Sequence, residues 1–423
     1  MRKLTILLLV AALPVGMAFA AGFSIGEFGG RAAAMGNAVT AQAYDASTLF
    51  YNPAGLGFLE GTQFYGNVTV ISPSAKFVGA DPYFDDTVHE AKEQIFPPIG
   101  LYATHRFNEK WAAGISLTTP FGLGLAWEDD FPGTPISKDV VLETFYLTPL
   151  AAYQINPDLS IALGPDIVFS SLTLIRDVIV FDTPGVPSTG TKDLVEAKLE
   201  GSGEVAFGFA TGIMYRQEKF GLGFMYRHSI TVKADDGKAT FKIDPSYQGL
   251  LGQVLVDQNV MAKLSVPNYF VAGLYYKFTE KFGVEFDYAW YGWSVFDEIV
   301  LEFEDPTLNQ TIHEGYKDEY QLRLGAHYDI NEKFSVRAGF IYDRTPQPIE
   351  SVSPLLPDDT RTDWTIGAGY KTGNFVIDGG YMYVNIGERS TVENGEGMND
   401  NGFDGTYISH AHLVYLSLGY AIK

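Results

Sequence analysis

The sequence predicts an all-β protein, a 14-stranded antiparallel transmembrane β-barrel that is plugged by an N-terminal hatch with short helices. Three observations predict this fold. Short polar turns alternate with long polar loops, large apolar side chains flank the turns, and the segments between them alternate apolar with polar residues. Short turns on one side and long loops on the other are typical of transmembrane barrels, whereas a soluble β-sandwich has no reason to sort its connections. Residues 61–423 are assigned to the barrel and its loops.

The composition excludes several classes of protein. The 423 residues include 51 acidic and 29 basic side chains, which gives a formal net charge of −22. Such a chain is poorly suited to bind nucleic acid, because phosphate contacts need clustered lysine and arginine. The absence of cysteine excludes disulfides, thiolate zinc sites, iron–sulfur clusters and cysteine nucleophiles. The 45 glycines, 30 Phe, 25 Tyr and 5 Trp favour an extended β surface over disorder.

Residues 1–20 have the pattern of a secretory signal peptide. The start is basic, residues 4–12 are largely apolar, and a small-x-small motif ends at Ala20. An uncleaved anchor is the alternative, but the apolar stretch contains Pro14 and is shorter than the ~20 residues that a membrane-spanning helix needs. We therefore expect an exported chain whose mature form begins at Ala21.

The connections predict the number of strands. Short turns are expected at 108–110, 156–158, 217–219, 279–281, 331–333 and 372–374. Long loops are expected at 73–94, 121–140, 177–200, 236–264, 304–317, 346–360 and 387–406. These connections join fourteen strands, and an even number places both ends of the chain on the short-turn side. Large side chains beside the turns, such as Phe107 and Trp111, are expected to mark one membrane–water interface.

The strands alternate in a way that separates a lipid face from a lumen face. In segment 282–290, Phe282, Phe286 and other large apolar residues share one face, and Glu285 and Asp287 share the other. Two later strands repeat this pattern. A charge on the lipid face costs about 2–4 kcal/mol at the middle of the bilayer, so the charged face is expected to point inward.

Residues 21–60 do not alternate like a strand and form the predicted hatch. Their pattern predicts a short helix that is capped by Asp45 and ends before the motif Asn52-Pro53-Ala54. By local chemistry alone, this motif also fits a simple type I turn. Side chains alone can fill a barrel of about eight strands, so a barrel of fourteen needs a plug.

On further motifs, the chain resembles the FadL-type outer-membrane transporters of long-chain fatty acids and other hydrophobic compounds, which include aromatic-hydrocarbon importers. The resemblance covers nearly the whole chain and rests on the order and spacing of several motifs. These are Ala21-Gly22-Phe23, Asn52-Pro53-Ala54, 111–122, 288–293, Leu356-Pro357-Asp358, 405–410 and 417–420. The resemblance implies the barrel fold, a multi-pass location in the outer membrane, and passive uptake of hydrophobic compounds, above all long-chain fatty acids, with no enzymatic activity.

The resemblance also implies where a ligand first binds. Family members capture ligand in an apolar groove between two helical extracellular loops, and the matching residues here are Leu194, Val195, Leu199, Leu250, Leu251, Val254 and Leu255. Both sets have the i, i+3 or i+4 spacing of a helix face. The alternative, which the residues leave open, is that the two apolar stripes pack on each other or on the barrel rim.

Two further steps are implied by the resemblance. The first is a luminal pocket lined partly by the hatch. Gly22 and Phe23, at the N-terminal end of the hatch, are expected to belong to this pocket. The second is a side opening at a kink in the third strand, where Gly114 and Pro120 weaken the strand pairing. Burial of a ligand is favourable by ~0.8 kcal/mol per CH₂ group, so an apolar path suits it better than a water-filled pore. No energy-coupling motif is present, which predicts transport driven by the ligand gradient.

Charged residues with the lumen-facing phase are candidates to bind a ligand carboxylate or to hold the hatch. They are Arg106, Arg227, Lys277, Glu285, Asp287, Arg323, Arg337 and Asp378. At the fifth-strand position where the resemblance implies an arginine, this chain has Ser171, with Arg176 nearest. An unpaired buried carboxylate is costly, so this departure keeps a neutral hydrocarbon open as the ligand. The plainer interpretation is that the cations pair with the inward acids and with the hatch.

Catalytic, cofactor and metal-binding features are weak. His410 and His412 share one face of a strand, but the sequence offers no third ligand beside them, so neither a metal nor a cofactor is expected. The expected partners are a hydrophobic small molecule and the lipid and lipopolysaccharide of the outer membrane, with no nucleic acid, and the chain is expected to be a monomer. Two other functions stay open: a general diffusion porin, and a lipid hydrolase that would use His410 with a nearby serine.

Overall fold

The computed structural model describes residues 22–81, 86–178 and 194–422. The predicted signal peptide, residues 1–20, therefore lies outside the described residues. Within the described part of the chain, no helix is both long enough and apolar enough to cross a membrane.

Fourteen antiparallel strands form a closed barrel, which confirms the predicted fold. Seven strands are continuous: β1 Thr62–Gly79, β4 Asp139–Asn156, β5 Leu159–Asp177, β11 Phe334–Asp343, β12 Arg361–Thr372, β13 Phe375–Ser390 and β14 Gly405–Ile422. Seven are interrupted: β2 Val88–Glu90 and Ile99–Arg106, β3 Trp111–Thr118 and Gly122–Ala126, β6 Val195–Ser202 and Ala206–Arg216, β7 Phe220–Arg227 and Ile230–Ile243, β8 Gln258–Val266 and Tyr269–Lys277, β9 Phe282–Tyr291 and Glu298–Phe303, and β10 Gln310–His313 and Glu319–Asp329.

The barrel closes between its first and last strands. Each strand pairs with the next along the chain, and β1 pairs with β14 from Thr62 opposite Ile422 to Gly79 opposite Gly405. A closed barrel leaves no free sheet edge, so the backbone hydrogen bonds are satisfied within the wall. A small hairpin, Val392–Glu393 with Glu396–Gly397, lies in the last long connection.

Several strands extend farther than the sequence predicts. β1 continues to Gly79, β6 begins at Val195, and β7 continues to Ile243. The bounds expected for the loops 73–94, 177–200 and 236–264 were therefore wrong. Outward-facing residues in these extensions are polar, such as Lys198 and Lys233, which are partly to well exposed. Their polarity made the extensions resemble loops.

Two rows of outward-facing aromatic side chains circle the barrel and mark the two membrane–water interfaces. The inner aromatic row lies beside the short turns and includes Phe107, Trp111, Phe278, Phe334 and Phe375, all exposed. The outer aromatic row lies toward the long loops and includes Phe270, Tyr288, Trp290, Tyr320 and Tyr342. Exposed aliphatic residues such as Leu274 and Leu324 lie between the rows.

The opposite face of the strands points into the lumen and carries charge. Glu285, Asp287, Arg323, Arg337 and Asp378 are all buried inside the barrel. The inward orientation of the charged face agrees with the prediction. Because the lumen is closed by protein, these charges have to find partners there.

The hatch fills much of this lumen. It contains α1 Gly30–Ala33, α2 Thr48–Tyr51 and a 3₁₀ helix Pro53–Phe58. The predicted helix end is correct, since α2 ends at Tyr51 and Asn52 follows as its C-cap. The predicted cap is wrong: the N-cap residue is Ser47, because the Asp45 carboxylate already accepts the Ser47 N–H at 2.9 Å in the preceding turn.

The motif Asn52-Pro53-Ala54 joins the hatch to the wall as well as forming a turn. The Asn52 Oδ1 atom accepts the Ala54 N–H at 3.1 Å. Its Nδ2 atom donates to the Thr40 carbonyl at 2.8 Å and to the Ile213 carbonyl of β6 at 3.1 Å. Asn52 is fully buried, so the loss of its side chain would leave buried backbone groups without partners.

Glycines of the wall let the hatch backbone approach closely. A Cβ atom at Gly223 would lie 2.0 Å from the Thr40 carbonyl oxygen, and one at Gly339 would lie 2.2 Å from the Gly36 nitrogen. Both approaches are shorter than any real Cβ contact. The hatch is therefore seated against the wall by backbone packing as well as by side chains.

Candidate ligand-binding site

An apolar cavity lies inside the barrel, between the long-loop halves of β3 to β10. Leucine, valine and isoleucine side chains line most of it, including Leu142, Leu174, Val260 and Leu301. A cavity with this lining suits an apolar organic molecule.

The start of the hatch forms part of the cavity wall. The Phe23 ring lies with its centroid 4.9 Å from those of Trp293 and Phe296, in edge-to-face arrangements. Gly22 has φ +66°, and a Cβ atom there would lie 2.4 Å from the Trp293 ring. The Gly22 N–H donates to Asp358 Oδ2 at 3.0 Å. Of the two residues predicted for the pocket, Phe23 therefore lines the cavity and Gly22 positions it.

The long connection 346–360 folds over the cavity. Leu355 and Leu356 line it, and the Trp127 indole N–H donates to the Pro354 carbonyl at 3.0 Å. Burial raises the pKa of Asp358, which receives the Gly22 N–H, to about 7. The connection and the start of the hatch are thus joined beside the cavity.

Few polar groups line the cavity. They are Glu200, Glu314 and the hydroxyl of Tyr316. Glu200 is well exposed and pairs with Lys198 at 2.5 Å. Glu314 is only 4% exposed, and burial raises the pKa of its carboxyl to about 8. Among the described residues, no lysine or arginine lines the cavity.

Strand β3 is interrupted beside the cavity, and the hatch binds at the interruption. Pairing stops after Thr118 and resumes at Gly122. The Ile25 N–H donates to the Pro120 carbonyl and the Gly122 N–H donates to the Phe23 carbonyl, both at 2.8 Å. The hatch therefore takes the place of a neighbouring strand at this point.

Of the two residues predicted for the side opening, Gly114 lies outside the interruption of β3. Gly114 pairs without interruption with Thr104 of β2 and Leu150 of β4. A Cβ atom at Gly114 would lie 2.9 Å from both the Ala103 carbonyl oxygen and the Leu49 side chain. Gly114 therefore gives α2 room to pack, whereas the interruption includes Pro120, which lacks the N–H needed for pairing.

Two of the predicted inward cations form buried ion pairs. Arg227 Nε lies 3.1 Å from Asp166 Oδ2, and Arg337 Nη1 lies 2.6 Å from Asp378 Oδ1. The pairing of Asp378 with an inward cation confirms the prediction for that residue. Asp166 was not predicted, although it has the inward phase of β5.

Glu285 and Asp287 bind the hatch instead of a cation. The Glu285 carboxylate accepts the Ala41 N–H at 2.6 Å and the Gln42 side-chain amide. The Asp287 carboxylate accepts the Thr40 N–H at 3.2 Å and its hydroxyl at 2.7 Å. No described cation lies within salt-bridge distance of either acid, so their expected pairing with cations was wrong. Backbone amides of the hatch occupy the space that a cation would need.

The remaining predicted cations lie away from the cavity. Arg323 donates to the Tyr291 hydroxyl at 2.9 Å, and Arg106 donates to the Gly57 carbonyl of the hatch. Lys277 lies at the short-turn mouth, where it pairs with Glu280 at 2.6 Å. Arg106 and Arg323 hold the hatch or the wall, as the plainer interpretation predicts.

The two apolar stripes expected to form the extracellular groove pack on each other. Val195, Ile243 and Leu251 form a buried cluster, joined by the partly buried Leu194 and Leu255. Leu250 and Val254 are exposed. The structure thus favours the alternative that the sequence left open.

The helix expected at the first stripe was wrong. Val195–Ser202 is a strand, in which Val195 and Leu199 point inward and Leu199 reaches the cavity. The alternation of these residues with Glu196 and Lys198 has a period of two, which outweighs the helical spacing. The second stripe does contain a short helix, α3 Gln248–Leu251.

Comparison with known proteins places the chain in a family. The sequence profile of the outer membrane protein transport protein family (OMPP1/FadL/TodX) matches residues 11–422. The chain belongs to this family. It is 25% identical over 409 residues to a long-chain fatty acid transport protein of Escherichia coli O6:H1, with 90% of each chain covered. It is also 26% identical over 352 residues to outer membrane protein P1 of Haemophilus influenzae, covering 76% of this chain and 74% of that protein.

Solved structures of family members share the fold. A FadL homologue of Pseudomonas aeruginosa superposes with a TM-score of 0.78 at 20% identity, covering 95% of this chain and all of that chain. The toluene transporter TbuX of Ralstonia pickettii superposes with a TM-score of 0.69 at 17% identity, covering 94% of this chain and 99% of that chain. Family membership and the barrel make the protein a multi-pass outer-membrane transporter of hydrophobic compounds.

Ser171 and Arg176 of the fifth strand bind other side chains of the barrel wall. The Ser171 hydroxyl donates to Glu143 at 2.9 Å, and Arg176 donates to Gln310 at 2.6 Å. Neither residue lines the cavity. No counterpart of a carboxylate-binding arginine is therefore present among the described cavity residues.

His410 and His412 lie on the outward face of β14. Their ring centroids are 5.5 Å apart, and His412 hydrogen bonds with the Tyr381 hydroxyl at 2.6 Å. No group of three His, Asp or Glu side chains in the described ranges is arranged to hold a metal ion. The pair belongs to an aromatic cluster on the barrel surface, which also contains Tyr383.

Proposed function

We propose that the protein carries hydrophobic compounds passively across the outer membrane, through the apolar cavity and then sideways into the bilayer at the interruption of β3. The observation that carries the proposal is the cavity, which is apolar over most of its wall and is bounded by Phe23 of the hatch. Each buried CH₂ group of a ligand contributes ~0.8 kcal/mol, so the cavity can concentrate such molecules from water.

The contacts of Phe23 connect the cavity to the interruption of β3. Phe23 packs on Phe121 at 6.2 Å between ring centroids, and Phe121 lies in the interruption of β3. The hatch bonds to Pro120 and Gly122 cover the wall there, together with the hydrogen bonds between the Thr144 hydroxyl of β4 and the Phe121 backbone. A movement of residues 23–25 would therefore change the cavity wall and remove part of the cover of the interruption together. Release into the bilayer spares an apolar ligand from entering water again.

The cavity lining favours a ligand that is uncharged when bound. An ionised carboxylate would lie near Glu314 and would have no described cation to pair with, and an unpaired buried charge is costly. A neutral hydrocarbon avoids this cost. A long-chain fatty acid is the second candidate, supported by the relatives that are named long-chain fatty acid transport proteins.

Uptake by cells tests the proposal. A deletion strain should lose uptake of radiolabelled octylbenzene, and the wild-type gene should restore it. Ala234→Trp fills the cavity and should not restore uptake, whereas Ala272→Trp places the same side chain on the lipid face and should restore it. Equal uptake by the deletion strain and its parent would refute the proposal. Large, steady ion currents through the purified protein in planar bilayers would indicate a diffusion porin instead.

A further inference from the structure

Two buried polar groups without partners lie in the wall of the apolar cavity. The Glu314 side chain is 4% exposed, and no hydrogen bond to its carboxyl is formed by any described residue. The Tyr316 residue is 3% exposed, and its hydroxyl has no hydrogen-bond partner. Both residues line the cavity and lie two positions apart in the chain. The other acid of the cavity, Glu200, differs because it is exposed and paired with Lys198.

The segment that carries these groups is held in place. It joins the two parts of β10, and the Glu314 N–H donates to the Asp297 carbonyl at 2.7 Å. The Tyr316 ring packs edge-on against Phe296, with 4.9 Å between centroids, and lies 5.8 Å from Trp293. Glu314 and Tyr316 are therefore held in place beside the cavity.

A buried polar group without a partner costs about 1–3 kcal/mol. Two such groups in one apolar cavity are expected to have a function, because leucine and phenylalanine would fill the same space without this cost. A ligand that hydrogen bonds to both groups would remove the cost when it binds. This difference between bound and free states is a source of specificity.

We infer that Glu314 and Tyr316 together bind the hydroxyl group of an otherwise apolar ligand, such as an alkylphenol or a long-chain alcohol. The ligand hydroxyl donates to the Glu314 carboxyl and accepts from the Tyr316 O–H. One hydroxyl group can fill both roles, since it carries one donor and two acceptor positions. This inference rests on the proposed function and names a class of ligand for the same cavity.

A charged head group fits this pair less well. A carboxylate would oppose Glu314, and an ammonium group would have to lose its hydration inside an apolar cavity. Because burial raises the pKa of Glu314 to about 8, its carboxyl is mainly uncharged near neutral pH. An uncharged carboxyl beside a phenol hydroxyl matches a neutral polar group best.

A matched series of ligands tests the inference. Radiolabelled 4-octylphenol, octylbenzene and 4-octylbenzoate share one alkyl chain and differ in their polar group. Their binding is measured with the full protein in lipid nanodiscs, and empty nanodiscs correct for partition into lipid. We expect the wild-type protein to bind octylphenol most tightly and octylbenzoate least tightly.

Variants of the two residues complete the test. Glu314→Leu and Tyr316→Phe should each lower the affinity for octylphenol roughly two- to tenfold and change that for octylbenzene less than about twofold. Glu280→Leu makes the same acid-to-leucine change at an exposed acid of a short turn, away from the cavity, and should leave the preference for octylphenol unchanged. Heat-modifiable migration on gels checks that each variant is folded.

The outcomes separate this inference from the proposed function. If wild-type protein binds octylbenzene and octylphenol equally, or binds octylbenzoate best, the inference is overturned while the transport function stands. The same holds if Tyr316→Phe lowers the affinity for octylbenzene as much as that for octylphenol. If none of the three ligands binds above the empty nanodiscs, the proposed function itself fails.

Discussion

The attachment of the hatch to β9 leads to a prediction whose size follows from the structure. Glu285 is completely buried and accepts two hydrogen bonds from the hatch, from the Ala41 N–H and from the Gln42 side chain. Glu285→Leu removes both acceptor oxygens and keeps an apolar side chain in place. The Gln42 side chain can rotate to another partner, but the Ala41 N–H is fixed by the backbone.

The cost of this change can be worked out from the Ala41 N–H alone. A buried donor that loses its acceptor costs about 1–3 kcal/mol. The cost falls on the seated hatch and not on the opened one, where water binds the amide. The equilibrium for local opening should therefore rise roughly 5- to 150-fold.

Amide hydrogen exchange measures this opening directly, because exchange of a buried amide reports the free energy of the local opening. Mass spectrometry of a peptide that spans residues 38–43 should show faster exchange by that factor in Glu285→Leu. Glu285→Gln keeps a carbonyl oxygen for the Ala41 N–H, so the exchange rate of this peptide should stay close to that of the wild type. Glu280→Leu changes an exposed acid at a short turn and serves as the matched control.

Unchanged exchange at residues 40–42 in a folded Glu285→Leu barrel would refute the argument that the inward acids hold the hatch. Equal acceleration in Glu285→Leu and Glu285→Gln would also contradict it, because the two differ in whether an acceptor remains. Faster exchange throughout the barrel strands would show a general loss of stability instead of a local one.

Three further predictions concern stability and the seating of the hatch. The pKa of Glu314 rises from 4.5 to about 8 on folding, so its stabilising contribution is complete below about pH 4.5 and is lost as pH rises through 8. Relative to Glu314→Gln, the free energy of unfolding of the wild type, measured in urea, should fall by on the order of 4 kcal/mol between about pH 5 and 8.5. Arg227→Met leaves Asp166 buried without its cation and should lower the free energy of unfolding by about 3–5 kcal/mol, and adding Asp166→Leu should recover most of it. Gly339→Val would place a side chain 2.2 Å from the Gly36 nitrogen, so the hatch should be displaced and bilayer conductance should rise, and unchanged conductance would contradict the close seating.

Much of the barrel could be predicted from the sequence because its signals are local. In β9, the alternation of Phe282 and Phe286 with Glu285 and Asp287 reports which face meets lipid, since the pattern depends only on neighbours in the chain. Extensions beyond the membrane were missed where the pattern is reversed, with apolar residues inward and polar residues outward. The strand from Val195 is one example, because its outward residues are polar.

The partners of the inward charges could not be predicted in the same way. The sequence shows that Glu285, Arg227 and Asp378 point inward, but not which groups they meet. Glu285 meets Ala41, 244 positions away, and Arg337 meets Asp378, 41 positions away. The partner of Glu285 depends on how the hatch enters the lumen, and that of Arg337 depends on which side chains of nearby strands meet across the wall. No local pattern records either.

The sequence by itself determined the number of strands, the side of the short turns, the inward position of the charges and the presence of an N-terminal plug. These properties follow from periodicity and turn chemistry, which act between near neighbours. Only the tertiary structure decided that Phe23, Glu314 and Tyr316 meet in one apolar cavity and that the hatch binds at the interruption of β3. The physical reason is that closure of the barrel brings β3 and β10 within reach of the same hatch residues, although they lie far apart in the chain.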